Sequence, residues 1–101
     1  MGQLVGRRLP NDVAIDTWPE WKPGDYSGPR TYTDGYDVEH LALWFKPPTG
    51  GHLAHVEFPP HTFRECDDGS VEVRASIAIY GAPRVHDWHG YLDEGHVWRD
   101  A

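Results

Sequence analysis

The clearest pattern in the chain is an alternation of period two over residues 71–80. Val71, Val73, Ala75, Ile77 and Ile79 alternate with Glu72, Arg74, Ser76, Ala78 and Tyr80, which predicts a strand with one apolar row turned toward a core. Gly81 and Pro83 are expected to end that strand. Ahead of it, Asp67, Asp68 and Gly69 predict a hairpin turn, because Asp and Gly tolerate positive φ, and a strand on either side. Residues 38–45 (VEHLALWF) lie between Gly35 and the group Pro47, Pro48, Gly50 and Gly51, as a strand entering a loop would. Residues 52–58 (HLAHVEF) stop at Pro59 and Pro60 and read the same way. A last hairpin is predicted over residues 85–92 and 96–99, with Asp93, Glu94 and Gly95 as a bulged three-residue loop. No segment sustains a 3.6-residue period with a helix cap. The fold class expected is therefore all-β: a small antiparallel meander, sandwich or partial barrel, with Trp44 and Trp98 in its core.

Residues 1–37 break this pattern. They hold Pro10, Pro19, Pro23 and Pro29 together with Gly24, Gly28 and Gly35, and neither a helical nor a strand period lasts beyond a few positions. The division expected is an extended irregular arm over 1–37 and a β domain over 38–101. Trp18, Trp21, Tyr26, Tyr32 and Tyr36 give the arm more aromatic mass than a disordered tail carries, so part of it is expected to lie against the domain or a partner.

Composition narrows the function classes. With 101 residues there is room for one modest core. Sixteen acidic against nine basic residues give a net charge of -7, and apart from Arg7 and Arg8 the cations are scattered, which argues against nucleic acid as a partner. The converse reading, an acidic mimic of nucleic acid, would rest on Glu65, Asp67, Asp68, Asp93 and Glu94, but these fall in expected turns, where charge is usually solvated. No run approaches the ~20 apolar residues of a membrane span, and the opening MGQLVGRRLP does not resemble a signal peptide. The expectation is no membrane partner and a cytoplasmic setting. The lone Cys66 offers no internal disulfide.

Candidate chemistry begins with seven histidines. The stretch HLAHVEFPPHTFREC holds three His and one Cys within fifteen residues, and zinc takes four N or S ligands. His52 and His55 differ by an odd number and would face opposite sides of a strand, as would His86 and His89. The zinc set weighed against that parity is Cys66, His61, His86 and His89, for a structural or hydrolytic metal module; the alternative is no cofactor, with the histidines pairing with nearby Asp and Glu. Cys66 as a nucleophile is disfavoured by Glu65, Asp67 and Asp68, whose charge opposes a thiolate. No phosphate loop, nucleophile elbow or His-Glu-x-x-His helix is present, and nothing else in the chain points to an enzyme.

Aromatic density makes a better case. The final hairpin interleaves Trp88, Tyr91 and Trp98 with His86, His89 and His96, and such rings suit a recognition surface. Trp88, His89, Tyr91, His86 and Arg64 are the candidate binding residues. The run FPPHTFRECDDGSVEVRASIAIYG and the ending WHGYLDEGHVWRD carry a resemblance over residues 38–99: the chain resembles a family of short uncharacterised proteins encoded by actinobacteria, their bacteriophages and prophages. The resemblance implies a phage or prophage setting, in the host cytoplasm or with the virion, and no catalytic residues. The function expected is a non-enzymatic accessory protein that binds a host, defence or virion protein through the aromatic hairpin, the arm, or both, with homo-oligomer formation a further use of the arm.

Overall fold

The computed structural model describes residues 2–80 and 87–101. Within them nine strands build two sheets: β1 (Gln3–Val5), β2 (Arg7–Arg8), β3 (Asp25–Thr33), β4 (Glu39–Phe45), β5 (Ala54–Glu57), β6 (Thr62–Glu65), β7 (Val71–Ile79), β8 (Trp88–Asp93) and β9 (Val97–Asp100). One sheet has the order β1-β9-β8-β7-β6, the other β2-β3-β4-β5. All neighbours are antiparallel except β2 and β3. The all-β class is as the alternation predicts, and its form is a two-sheet sandwich, not a closed barrel. One 3₁₀ helix, Ile15–Glu20, precedes β3.

The core forms where the inward rows of both sheets meet. Tyr26, Leu43, Phe45 and Val56 come from the four-stranded sheet; Val71, Val73, Ile77, Trp88, Leu92 and Trp98 come from the five-stranded sheet. Trp98 is 0% exposed and sits at the centre, with its ring 5.0 Å from Phe45, 5.6 Å from Trp88 and 6.1 Å from Tyr26. Its indole N–H donates to Gly24 O at 2.8 Å, so the buried donor is satisfied. The Tyr26 hydroxyl lies 2.6 Å from His96 Nδ1, and burial pushes its phenol up to about 12.

The N-terminal third is structural, which corrects the division at residue 37. β1 extends the five-stranded sheet, then the chain crosses at Gly6 so that β2 joins the other. Glycine is required at the crossing: a Cβ on Gly6 would lie 2.2 Å from Gly24 O and 2.8 Å from Trp98 Nε1. Arg8 then reaches across to Glu65 (2.6 and 3.0 Å) and Gly69 O (3.1 Å), while Arg7 pairs with the buried Asp25 at 2.8 Å. β3 itself is hidden in the sequence by Gly28 and Pro29. Gly28 takes φ 127° and Pro29 lacks an N–H, so the pairing with β4 shifts between Ser27 and Arg30 and then resumes.

Other expectations hold with small changes. The Asp68-Gly69 turn is present, with Gly69 at φ 86° and Gly69 N–H donating to Cys66 O at 3.0 Å. The final hairpin pairs Asp93 with Val97, so its loop is Glu94, Gly95 and His96, one residue later than expected, with Gly95 and His96 both left-handed. On β7, Val71, Val73 and Ile77 are buried but Ala75 is exposed, because pairing with β8 jumps from Val73–Leu92 to Ile77–Gly90. The expected stop at Gly81 and Pro83, and residues 85 and 86 of the expected hairpin, lie outside the described residues. No helix among the described residues is long and apolar enough to cross a membrane.

Candidate functional site

The outward row of the four-stranded sheet assembles a layer of rings and charges. In β4, Leu41, Leu43 and Phe45 turn toward the core, which leaves His40, Ala42 and Trp44 on the other face. The pairing Tyr32–His40 and Trp44–His55 then brings Tyr32 of β3 and His55 of β5 into the same layer, and Glu57 follows two residues after His55. Tyr32 stacks on His40 at 5.0 Å with an interplanar angle of 18°, and Trp44 lies 4.5 Å from His55. Tyr32 also meets the Trp44 edge at 5.4 Å.

Carboxylates tie the layer together. Asp34 shapes the β3–β4 turn by accepting the N–H groups of Tyr36 (2.8 Å) and Val38 (3.0 Å) on Oδ1. Its other oxygen lies 2.6 Å from His40 Nε2, and Glu57 Oε1 lies 3.0 Å from His40 Nδ1. A carboxylate at each ring nitrogen favours the doubly protonated, charged form of His40 over the neutral ring. The hydrogen bond to Asp34 holds its pKa above the ordinary value, against the opposing effect of burial. Asp34 is held below the usual carboxylate range, chiefly by His40, and Glu57 likewise by the Tyr32 hydroxyl (2.9 Å) and His55 Nε2 (3.1 Å).

Beside β5, this layer runs into an open groove of about 310 Å³ between the two sheets. Val56, Ile77 and Ile79 supply its apolar lining, and His55, Glu57 and His61 its polar lining. The groove exists because β6 pairs only with Val71–Arg74, leaving the second half of β7 without a neighbour strand on that side among the described residues.

The residues singled out in the sequence are distributed differently. Trp88 belongs to the core: even-numbered positions of β8 face inward, it is 6% exposed, and its N–H donates to Asp100 at 2.9 Å. Tyr91 and Arg64 lie on the outer face of the five-stranded sheet. There Tyr91 is flanked by Arg99 at 4.4 Å and Arg74 at 5.2 Å, and Arg64 pairs with Glu72 at 3.3 Å. Trp44, expected in the core, has the parity of His40 and faces outward, half-buried. His86 lies outside the described residues.

Of the zinc candidates, His61 and His89 do converge: His61 Nε2 lies 3.0 Å from Ser76 O and His89 Nε2 2.9 Å from Ser76 Oγ. Cys66 is buried at the far end of β6, about 16 Å from His61 at roughly 3.3 Å per extended residue, so the two do not share a site. Among the described residues no three His, Cys, Asp or Glu groups are placed to hold a metal ion.

Tyr32, Asp34, His40, Trp44, His55 and Glu57 are not singled out as a group by the sequence. The parity within HLALWF and AHVE is a usable signal for four of them; Tyr32 and Asp34 need β3 to be recognised. No family model, curated protein or solved structure matches the chain.

Proposed function

We propose that this is a non-enzymatic recognition protein that binds another protein through the outer face of the four-stranded sheet. The observation that carries the reading is the Tyr32–Trp44 pair, half-buried and held by two imidazoles and two carboxylates next to an edge strand. Tyrosine and tryptophan supply much of the binding energy of protein interfaces, and here their rotamers are already restrained, which lowers the entropy cost of binding. The resemblance to actinobacterial and phage-encoded proteins adds a setting to this proposal: a host or virion protein as the partner, met in the host cytoplasm or on the virion. Ion pairing of the carboxylates on both outer faces speaks for this reading over an acidic mimic of nucleic acid.

The test is selection of displayed random peptides on the purified protein. Enriched peptides should bind the Tyr91→Ala variant as they bind the natural chain and lose about tenfold or more in affinity with Trp44→Ala, roughly 1.4 kcal/mol. Far-UV circular dichroism checks that each variant remains folded. No enrichment, or binding indifferent to Trp44 and sensitive to Tyr91, would overturn the assignment of this face.

A further inference from the structure

We infer that β5 pairs edge to edge with β5 of a second copy of the chain, antiparallel about a two-fold axis at Val56. The inference stands apart from the recognition role, since it rests on backbone geometry and on the order of residues in one strand. β5 is an edge strand, with β4 on one side and no strand on the other among the described residues. Phe58 N–H donates to Leu41 O at 2.9 Å, which marks position 41 as directly bonded to position 58. Antiparallel ladders alternate, so Leu43 and Val56 form the next bonded pair, and the amides and carbonyls of His55 and Glu57 point away from β4. The Glu57 carbonyl already accepts His61 N–H at 3.2 Å and has a second lone pair; the other outward groups have no neighbour strand among the described residues.

The order Ala54-His55-Val56-Glu57 is self-complementary in that geometry. With the axis at Val56, His55 of each copy lies opposite Glu57 of the other, and both pairs fall at the outward, hydrogen-bonding positions. An imidazole then faces a carboxylate twice across the axis. Moving the axis to His55 sets imidazole on imidazole. Moving it to Glu57 sets carboxylate on carboxylate and places Pro59, which has no N–H, opposite His55. One register therefore matches both charge and backbone. The edge borders the open groove, whose far wall is Ile77, Ala78 and Ile79 of the same chain. Pro59 and Pro60 keep the edge short, so the contact closes as a two-fold pair instead of propagating. The product is a continuous sheet that joins two Tyr32–Trp44 layers.

Sedimentation equilibrium and concentration-dependent hydrogen exchange on the full chain test this. The expected result is a monomer–dimer equilibrium in which the His55 and Glu57 amides exchange about tenfold or more slowly in the dimer, while amides of the β6 edge do not change. His55→Glu should be monomeric, since it sets two carboxylates opposite each other, and Glu57→Lys should be monomeric, since it takes away the carboxylate that faces the imidazole and leaves an ammonium with no acceptor there. Mixed together they should form a heterodimer: the introduced carboxylate of one variant then faces the introduced ammonium of the other, and the second pair across the axis keeps its natural imidazole and carboxylate. The hydrogen-exchange result on the natural chain stands by itself should either variant not fold. A chain that stays monomeric at every concentration, a dimer whose His55 and Glu57 amides stay unprotected, or folded variants that dimerise separately as the natural chain does, would each overturn the pairing. The first would leave the β5 edge open to a foreign strand.

Discussion

The two outer faces of the sandwich solve one problem with different chemistry. On the five-stranded sheet, Asp93 accepts from Arg99 at 2.7 Å and Arg74 at 2.8 Å, and the two guanidiniums flank Tyr91. On the four-stranded sheet, Glu57 and Asp34 hold His40 while Tyr32 stacks on it. Each is a tyrosine, a carboxylate and a cation in one layer. The difference is the cation: guanidinium keeps its charge at any pH a folded protein meets, whereas imidazolium does not. One face is a fixed electrostatic seam, and the other has a charge state that solvent pH can change.

The largest expected effect asks whether the two faces can be separated at all. Removal of residues 1–37 takes away β1, β2 and β3, and with them Tyr26 and the crossing at Gly6. The truncated chain should show no cooperative thermal transition by circular dichroism; a folded remnant would mean that β4–β9 hold together without the first third of the chain. Next in size is Trp98→Ala, which empties the site between the sheets and should cost about 3–5 kcal/mol in chemical denaturation. Both faces should then lose order together, with Tyr91 and Tyr32 resonances broadening at the same denaturant concentration.

Smaller effects distinguish the faces. Asp93 is raised by its own burial but held below the usual range overall by Arg99 and Arg74, so Asp93→Asn should cost roughly 1 kcal/mol, read by urea unfolding. That cost should be constant above about pH 5, where the ionised carboxylate is complete in folded and unfolded chains.

The smallest effect is the most specific. His40 titrates above its ordinary 6.5, chiefly through Asp34, so its stabilisation is complete below pH 6.5 and is lost as pH rises through the folded value. Asp34 and Glu57 titrate below 3.8 and 4.5, so theirs is present above those values and lost as pH falls through the folded ones. The four-stranded face should accordingly be held best between about pH 5 and 6.5. An NMR titration should put the His40 ring midpoint above 6.5, and Glu57→Gln should lower it, whereas Asp93→Asn should leave it in place. A His40 midpoint at or below that value, or one that moves with Asp93, would erase the contrast.

How far these features were legible varies by element. β7 and the Asp68-Gly69 turn follow from local rules, and the structure has both. β3 was not legible, because Gly28 and Pro29 sit in the middle of a strand whose neighbours tolerate the shifted pairing. The candidate site was half legible. His40, Trp44, His55 and Glu57 share a parity that two short strands display in sequence, yet nothing local says that β4 and β5 pair with Trp44 opposite His55. Trp88 illustrates the reverse failure, since a tryptophan in an aromatic hairpin carries no mark of which face will be covered.

The sequence by itself determined the all-β class, the apolar row of β7 and the Asp68-Gly69 turn, since alternation and positive-φ residues act over a few adjacent positions. Tertiary structure alone decided that the first third of the chain stitches the two sheets together. It also decided that Asp34, His40 and Glu57, from a turn and two strands, meet around one imidazole. Register between distant strands is set by which rows of side chains can be buried together, and that depends on the whole packed sandwich.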